Sequence, residues 1–282
     1  MAGITHLSTE WDQWIVLNIG RGVGTAQLTE DMVKNGLDRG FAESAVAICR
    51  SQFASTAVQP SGDGSRLASA NHIDIAGHRL TVVARIESPA VSIINNALTS
   101  EECDELVGLC RSKLTRSTTV DIVTGAEGVI RDRSSEGTYF MRGENALVSR
   151  IERRLAELTS TPIENGEGLQ ILHYAAGAEY KPHFDFFDPE HAGSATHLDK
   201  GGQRVSTTIL YLNDVEAGGA TIFPEISLSV TPRKGSAVYF SYVGTDGSLD
   251  RLTLHGGAPV TSGEKWIATK WVRQRAHMDP QT

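Results

Sequence analysis

The chain has 282 residues, 40% of them hydrophobic and 21% charged, so it can bury a sizeable core and belongs with globular proteins of one or two domains. Its 26 Lys and Arg stand against 34 Asp and Glu, a formal balance of -8 with no block of like charge, and a nucleic-acid partner is not expected. No apolar run approaches the ~20 residues that span a bilayer, so a membrane partner is not expected either.

Residues 10 to 58 carry helix-like apolar spacing, first through Trp11, Trp14, Ile15 and Leu17, then around Leu28, Met32 and Val33. Gly20, Gly22 and Gly24 punctuate it, and Thr25 or Thr29 can open the second helix. Pro60 to Ser65 reads as a loop. Ile73 to Ile86 alternates as a strand pair with a turn at Gly77-His78, and a domain boundary is placed near Ser88-Pro89. From Val91 onward the texture changes to short strands around helices. Thr99-Ser100-Glu101-Glu102 is a capping box that starts a helix running to about Leu114. A second helix covers Ala146 to Leu158, with Leu147, Ile151, Leu155 and Leu158 on its core face and Arg150, Arg153 and Arg154 expected to stay wet. Beyond Pro162 the pattern is strand and turn: Leu169–Tyr174, Lys181–Phe187, Val205–Leu212, Ala220–Phe223, Ser227–Val230, Ser236–Tyr242, Leu252–His255 and Lys265–Arg273. Eight short strands at this spacing predict a jelly roll or a barrel.

Cys49, Cys103 and Cys110 are an odd number without C-x-x-C spacing, and no signal-peptide pattern opens the chain. A reducing cytoplasmic setting is the expectation, with the thiols acting as small apolar residues.

A cupped double sheet carrying His and carboxylate residues invites a metal. Two His and one carboxylate on one face of an octahedron leave three positions open, as in non-haem Fe(II) oxygenases. His-x-Asp occurs three times, at His72/Asp74, His183/Asp185 and His197/Asp199, so spacing alone does not choose between them. His183 and Asp185 lie in the aromatic stretch Tyr180 to Phe187, which offers a dry wall. His197 and Asp199 fall in a Gly/Ala/Ser-rich stretch from Ala192 to Gly202 that reads as a surface loop, and His72 and Asp74 precede the core; solvated polar residues are the favoured reading for both pairs. His255 ends a short apolar strand at Gly256-Gly257 and is the best distal histidine, its glycines letting backbone pass close to a ligand. Lys265 begins an apolar strand whose period of two puts Lys265, Ile267, Thr269 and Trp271 on one face. A lysine facing a barrel interior is costly unless it meets an anion, and a dicarboxylate would be that anion.

From about Ile93 to Arg273 the chain resembles the prolyl 4-hydroxylases of the Fe(II)/2-oxoglutarate dioxygenase superfamily. The resemblance rests on Arg133 to Gly137, Glu167 to Tyr174, His183-Phe184-Asp185, Gly201 to Arg204, Gly218 to Pro224, Pro232 to Gly235, and His255 to Lys265-Trp266. It implies an α+β fold with a double-stranded β-helix (jelly-roll) core flanked by helices, preceded by a small, mainly helical N-terminal domain. Domain limits follow as 1–88, of unknown role, 89–275 for the dioxygenase, and 276–282 for a tail. By resemblance His183, Asp185 and His255 are the iron ligands. Tyr174, Thr221 and Lys265 match the positions that hold 2-oxoglutarate. Arg133, Ser135, Glu167, Tyr180, Arg204 and Trp271 match positions that line the substrate groove or shape the site, each with a bland alternative as a surface ion pair, a solvated carboxylate or a core residue. Fe(II), 2-oxoglutarate and O2 are the implied cofactor and cosubstrates, with ascorbate a candidate reductant. The implied reaction is hydroxylation of an unactivated C–H bond, of a prolyl residue in a peptide or protein, with release of succinate and CO2. A hydroxylase of a free amino acid or small metabolite is the alternative on the same scaffold, with a non-catalytic metal-binding jelly roll as the third reading. Residues 1 to 88 have no counterpart in the resemblance, Tyr139 stands where a larger aromatic is common, and nothing specifies the oligomeric state.

Overall fold

The computed structural model describes residues 7–20, 23–56, 66–117, 119–120, 127–128, 134–244 and 247–277. Helices α1 (Thr9–Gly20), α2 (Thr25–Lys34) and α3 (Arg39–Thr56) close on a core of their own, made of Ile15, Ile19, Leu28, Met32, Val46 and Cys49. After the short α4 (Arg66–Ser69), β1 (His72–Ile75) and β2 (His78–Ile86) form a hairpin, followed by β3 (Ala90–Asn95). Both turn residues, Ala76 and Gly77, are left-handed, at φ 50 and 79. That geometry suits the twist of a two-residue hairpin.

Helix α5 (Ser100–Cys110) carries the expected capping box: the Thr99 side chain accepts from the Glu102 amide, and the Glu102 carboxylate accepts from the Thr99 amide. Short strands β4 (Thr115–Arg116), β5 (Thr119–Val120) and β6 (Glu127–Gly128) precede β7 (Glu136–Phe140), and α6 (Ala146–Thr159) leads into β8 (Gly166–Tyr174) and β9 (Tyr180–His183). Then come α7 (Ala195–Asp199), β10 (Arg204–Tyr211), β11 (Ala217–Gly218), β12 (Thr221–Phe223), β13 (Leu228–Val230), β14 (Ala237–Ser241), β15 (His255–Gly257), β16 (Val260–Ser262) and β17 (Lys265–Arg273).

Nine strands form an antiparallel sheet in the order β1-β2-β3-β14-β10-β17-β8-β7-β4, and four form a second, β13-β12-β15-β9. Strand alternation divides the large sheet into two differently covered faces. Leu169, Ile171, Leu210, Trp266 and Ala268 point to α5 and α6, where they meet Leu106, Ile151 and Leu155. Leu172, Tyr174, Ile209, Tyr211 and Ile267 point the other way, into a core shared with Phe223 and Val230 of the small sheet. The central strands β8, β10, β14 and β17 are buried on both sides, which explains their nearly continuous apolar runs.

Several expectations change. The hairpin β1-β2 hydrogen-bonds to β3 within the large sheet, so that sheet runs across the boundary placed at Ser88-Pro89. Arg154 is buried rather than wet, because its guanidinium donates to both oxygens of Glu102 (2.7 and 2.9 Å) and to the Ala97 carbonyl. The stretch 192–202 contains α7 in place of an open loop, and Leu252 lies in a 3-10 turn (Arg251–Thr253) before the strand at His255. Helix α5 ends at Cys110, four residues earlier than its pattern suggests. All three cysteines are buried free thiols, each raised to about 11 by burial.

Candidate active site

The two histidines of the site face each other across one strand pair, since β15 lies against β9 with His255 directly opposite His183. Glycine makes this approach feasible: a Cβ at Gly256 would lie 2.9 Å from the Tyr180 carbonyl oxygen and 3.0 Å from the Pro182 nitrogen. Gly256 thus admits the neighbouring strand, and both glycines beside His255 line the cleft. Strand β9 stops at His183, so Asp185 is not on the same strand face. It reaches the cluster from the far side, where Thr207 of β10 donates to its Oδ2 at 2.7 Å.

Asp185 Oδ1 is 3.6 Å from His183 Nε2 and its Oδ2 is 3.4 Å from His255 Nε2. The three ligand atoms lie within 4.8 Å of one another. Ligands about 2.1 Å from a common ion and at right angles sit roughly 3 Å apart, so a small closure suffices to hold one. Each histidine has its other ring nitrogen at a backbone carbonyl, His183 Nδ1 at Lys181 (2.9 Å) and His255 Nδ1 at Thr253 (3.0 Å). Donation there makes Nδ1 the protonated nitrogen and leaves both Nε2 lone pairs directed at the cluster. Burial lowers the His183 pKa, and the neighbouring His255 lowers it further. Burial pushes the Asp185 carboxyl up, but the adjacent His255 and His183 outweigh it and hold it well below the usual range. A neutral His183 imidazole beside an ionised Asp185 carboxylate is the protonation state a divalent metal requires of these ligands.

Lys265 lies deeper, only 2% exposed, opposite Tyr174 in the β17-β8 pairing. Its Nζ is 5.4 Å from the Tyr174 ring centroid and 5.9 Å from that of Tyr211, and it makes no hydrogen bond or ion pair among the described residues. Burial alone lowers it to about 7. A buried ammonium without an anion is the imprint of an anionic ligand. Thr221, also buried, accepts from the Tyr211 hydroxyl at 2.8 Å beside it. Tyr211 was not singled out from the sequence, although it shares a face of β10 with Thr207 and Ile209 at a period of two.

At the other end of β17 the cations are paired. Glu167 accepts from Nε and Nη2 of Arg204 (2.7 and 2.8 Å) and from Nη1 of Arg273 (3.1 Å). Burial raises the Glu167 carboxyl, but Arg204 and Arg273 outweigh it and bring it to about 2. A register shift between Arg204 and Ser206 in the β10-β17 pairing puts Arg204 on the cleft side with Ile209, which strict alternation would not do. The guanidinium sits 4.0 Å over the Trp271 ring centroid and 4.8 Å over that of Phe187. Glu167 is therefore not solvated, Arg204 is not a surface ion pair and Trp271, half-buried, lines the cleft. Tyr180 stacks on His183 at 3.7 Å between centroids. Ser135 is fully buried with its hydroxyl donating to Ser117, and it does not line the cleft; Arg133 lies outside the described residues. Arg273, missed in the sequence, also holds the His197 and Lys200 carbonyls, which fastens α7 to the cleft wall.

The remaining His-x-Asp pairs stand apart from the cluster. His72 is exposed beside Thr81, and Asp74 pairs with Arg79. His197 stacks on Phe187 at 4.9 Å and lines the cleft without joining the metal-binding group. The cleft holds about 1260 Å³.

Two opposed antiparallel sheets enclosing a His/Asp/His cluster and an unpaired buried lysine define the class of 2-oxoglutarate- and Fe(II)-dependent oxygenases. Residues 169–273 match the 2OG-Fe(II) oxygenase superfamily. Prolyl 4-hydroxylase 5 of Arabidopsis thaliana is 42% identical over 214 residues, covering 69% of this chain and 72% of that protein. Prolyl 4-hydroxylase 1 of the same plant is 40% identical over 205 residues, covering 67% and 70%. A solved viral collagen prolyl hydroxylase from Paramecium bursaria Chlorella virus-1, in its 2OG complex, is 30% identical with a TM-score of 0.51 over 65% of this chain and 95% of that one. The chain belongs to the prolyl 4-hydroxylase family of 2OG-Fe(II) oxygenases, and it is a dioxygenase that uses Fe(II), 2-oxoglutarate and O2.

Proposed function

We propose that the protein hydroxylates prolyl residues in an extended peptide or protein segment, on a double-stranded β-helix core that the N-terminal helices flank as a separate unit. In this reading His183, Asp185 and His255 hold Fe(II), and Lys265 receives the distal carboxylate of 2-oxoglutarate with Tyr174, Thr221 and Tyr211 around it. When bound, iron and 2-oxoglutarate together activate O2, and the cosubstrate leaves as succinate and CO2. The chain's own contribution is positional. The Nδ1 bonds to Lys181 and Thr253 fix the imidazole tautomers, Thr207 fixes the carboxylate, and the aromatic walls exclude water.

The observation that carries the peptide reading is the cleft itself. At about 1260 Å³ it exceeds the roughly 300–1,000 Å³ of small-molecule sites, so a 2-oxoglutarate held at Lys265 would leave room for a second, larger ligand. Tyr180, Trp271 and the Arg204 plane over Trp271 offer flat surfaces to a proline ring, as grooves for extended proline segments do. The test is to supply Fe(II), 2-oxoglutarate and a panel of proline-rich peptides, then measure succinate and peptide mass. Peptide-stimulated succinate with one added oxygen on a prolyl residue is expected. Hydroxylation of a free amino acid with no response to any peptide would replace this reading with the small-molecule one.

A further inference from the structure

Resting on the peptide reading above, we propose that the segment after β17, Gln274 to His277, is a strap that sets the α7 wall of the cleft, with His277 as a positioning residue for peptide binding. Helix α7 has five residues, too few to be stable alone, so its neighbours must hold it. It contributes His197 to the cleft, where the imidazole lies parallel to the Phe187 ring. Carbonyls at a helix end look for donors beyond the helix. Arg273 Nη2 donates to the His197 and Lys200 carbonyls, and His277 Nδ1 donates to that of Lys200 at 3.1 Å.

The strap follows the bend after α7 closely. The Gln274 N–H donates to the Gln203 carbonyl and the Arg275 N–H to that of Gly201, both at 2.8 Å. Gly201 and Gly202 are left-handed, at φ 92 and 78; a Cβ on the first would lie 3.2 Å from His277 Cβ, and on the second 2.7 Å from Gln274 Oε1. Glycine alone permits that conformation and that approach together. On its other side the strap is anchored to the turn before β8. The His277 N–H donates to the Glu164 carbonyl at 2.8 Å, while Arg142 Nη1 donates to the carbonyls of His277 and Gly166, each at 2.8 Å. A central strand of the large sheet thus backs the strap, and the short helix leans on it.

The same bend reaches the site through Gln203. Its buried side-chain amide brackets Phe187, accepting from the Phe187 N–H at 2.8 Å and donating to the Phe187 carbonyl at 2.7 Å. Phe187 is two residues from Asp185, and its ring lies beneath the guanidinium groups of Arg204 and Arg273. The His277 bond to Lys200 therefore bears on where His197 and Phe187 stand along the groove. Lys265 is at the opposite end of β17, so the cosubstrate end does not depend on it.

The experiment compares the iron-loaded full chain with its His277→Ala, His277→Asn and His277→Gln variants. Asn places an amide nitrogen close to where Nδ1 stands, whereas Gln places it one bond further out. With the most active peptide of the proline-rich panel, KM for peptide should rise about three- to tenfold in the Ala and Gln forms, the loss expected of one hydrogen bond, and return in the Asn form. kcat and KM for 2-oxoglutarate should hold. Amide hydrogen exchange over residues 195–204 of the apoprotein should quicken in the Ala and Gln forms and match wild type in the Asn form. A variant that only lost stability would speed exchange throughout the chain and lower the active fraction instead. Unchanged peptide KM, unchanged exchange over 195–204, or Gln and Asn behaving alike overturns the proposal. If no peptide is turned over and a free amino acid is, the peptide reading falls; the strap then stands or falls on KM for that amino acid and the same exchange data.

Discussion

Lys265 and Arg273 open and close the same strand and face the same cleft, and both are buried, yet among the described residues only Arg273 has an anion. Glu167 binds Arg273 and Arg204 together, so that end of the cleft is complete without any ligand. Lys265 has the rings of Tyr174 and Tyr211 near its ammonium and no anion among the described residues. Equal burial with unequal pairing separates a wall from a receptor. A satisfied buried network rigidifies its surroundings, whereas an unsatisfied charge is held at a cost that only a bound anion offsets.

The sharpest way to break this contrast is Glu167→Gln, which leaves two buried arginines sharing a neutral amide. Removing one partner of a buried ionic network typically costs about 3–5 kcal/mol, and urea unfolding of the apoprotein should show a loss of that order. A loss under 1 kcal/mol would mean that the Arg204 end is solvated and the contrast is false.

Lys265→Ala should have its main effect on ligand rather than on fold. Affinity for 2-oxoglutarate should fall roughly 10- to 100-fold while Fe(II) affinity stays the same, both read by titration calorimetry. Unchanged 2-oxoglutarate affinity would move the anion site to another cation.

Lys265→Met sharpens the contrast by its sign. Because burial lowers Lys265 from 10.5 to about 7, the unfolded chain holds a proton between those values that the folded chain releases. Stability of the apoprotein should therefore rise with pH from about 7 to 10.5, with the cost of the buried charge fully present below about pH 7. Lys265→Met should flatten that rise and stabilise the apoprotein by up to about 2 kcal/mol near pH 6.5, with no gain above pH 10.5. Thermal unfolding across that range, with and without 2-oxoglutarate, checks it; a ligand that restores the ammonium's partner should flatten the wild-type curve as well.

The smallest expected effect lies between the two ends, at Thr207. Thr207→Val keeps the shape but removes the donor to Asp185, and Fe(II) affinity should fall about tenfold, with Thr207→Ser restoring it. Equal affinity in all three forms would show that the carboxylate needs no orienting bond.

Legibility in the sequence followed the range of the physical cause. The capping box at Thr99, the α6 face and the alternation along β17 depend on neighbours within a turn or a pleat, and each formed close to where its pattern put it. His183, Asp185, His255 and Lys265 were readable because a metal set and an interior lysine leave residue types with few other uses. Thr207, Tyr211 and Arg273 were hidden among ordinary strand residues. They matter only because β10 and β17 lie side by side at the centre of the large sheet.

By itself the sequence determined most of the stretches that become strand or helix, through their periodicity, and it marked a metal-type set and an interior lysine through the chemistry of those groups. Tertiary structure decided how they meet. It ended β9 at His183 and held Asp185, in the bend after it, by a donor from the large sheet, moved Arg204 to the cleft face through a register shift, and carried β1 and β2 into the large sheet. Those outcomes depend on pairing between segments far apart in the chain. A pairing register is set by the partner strand, and no local pattern records it.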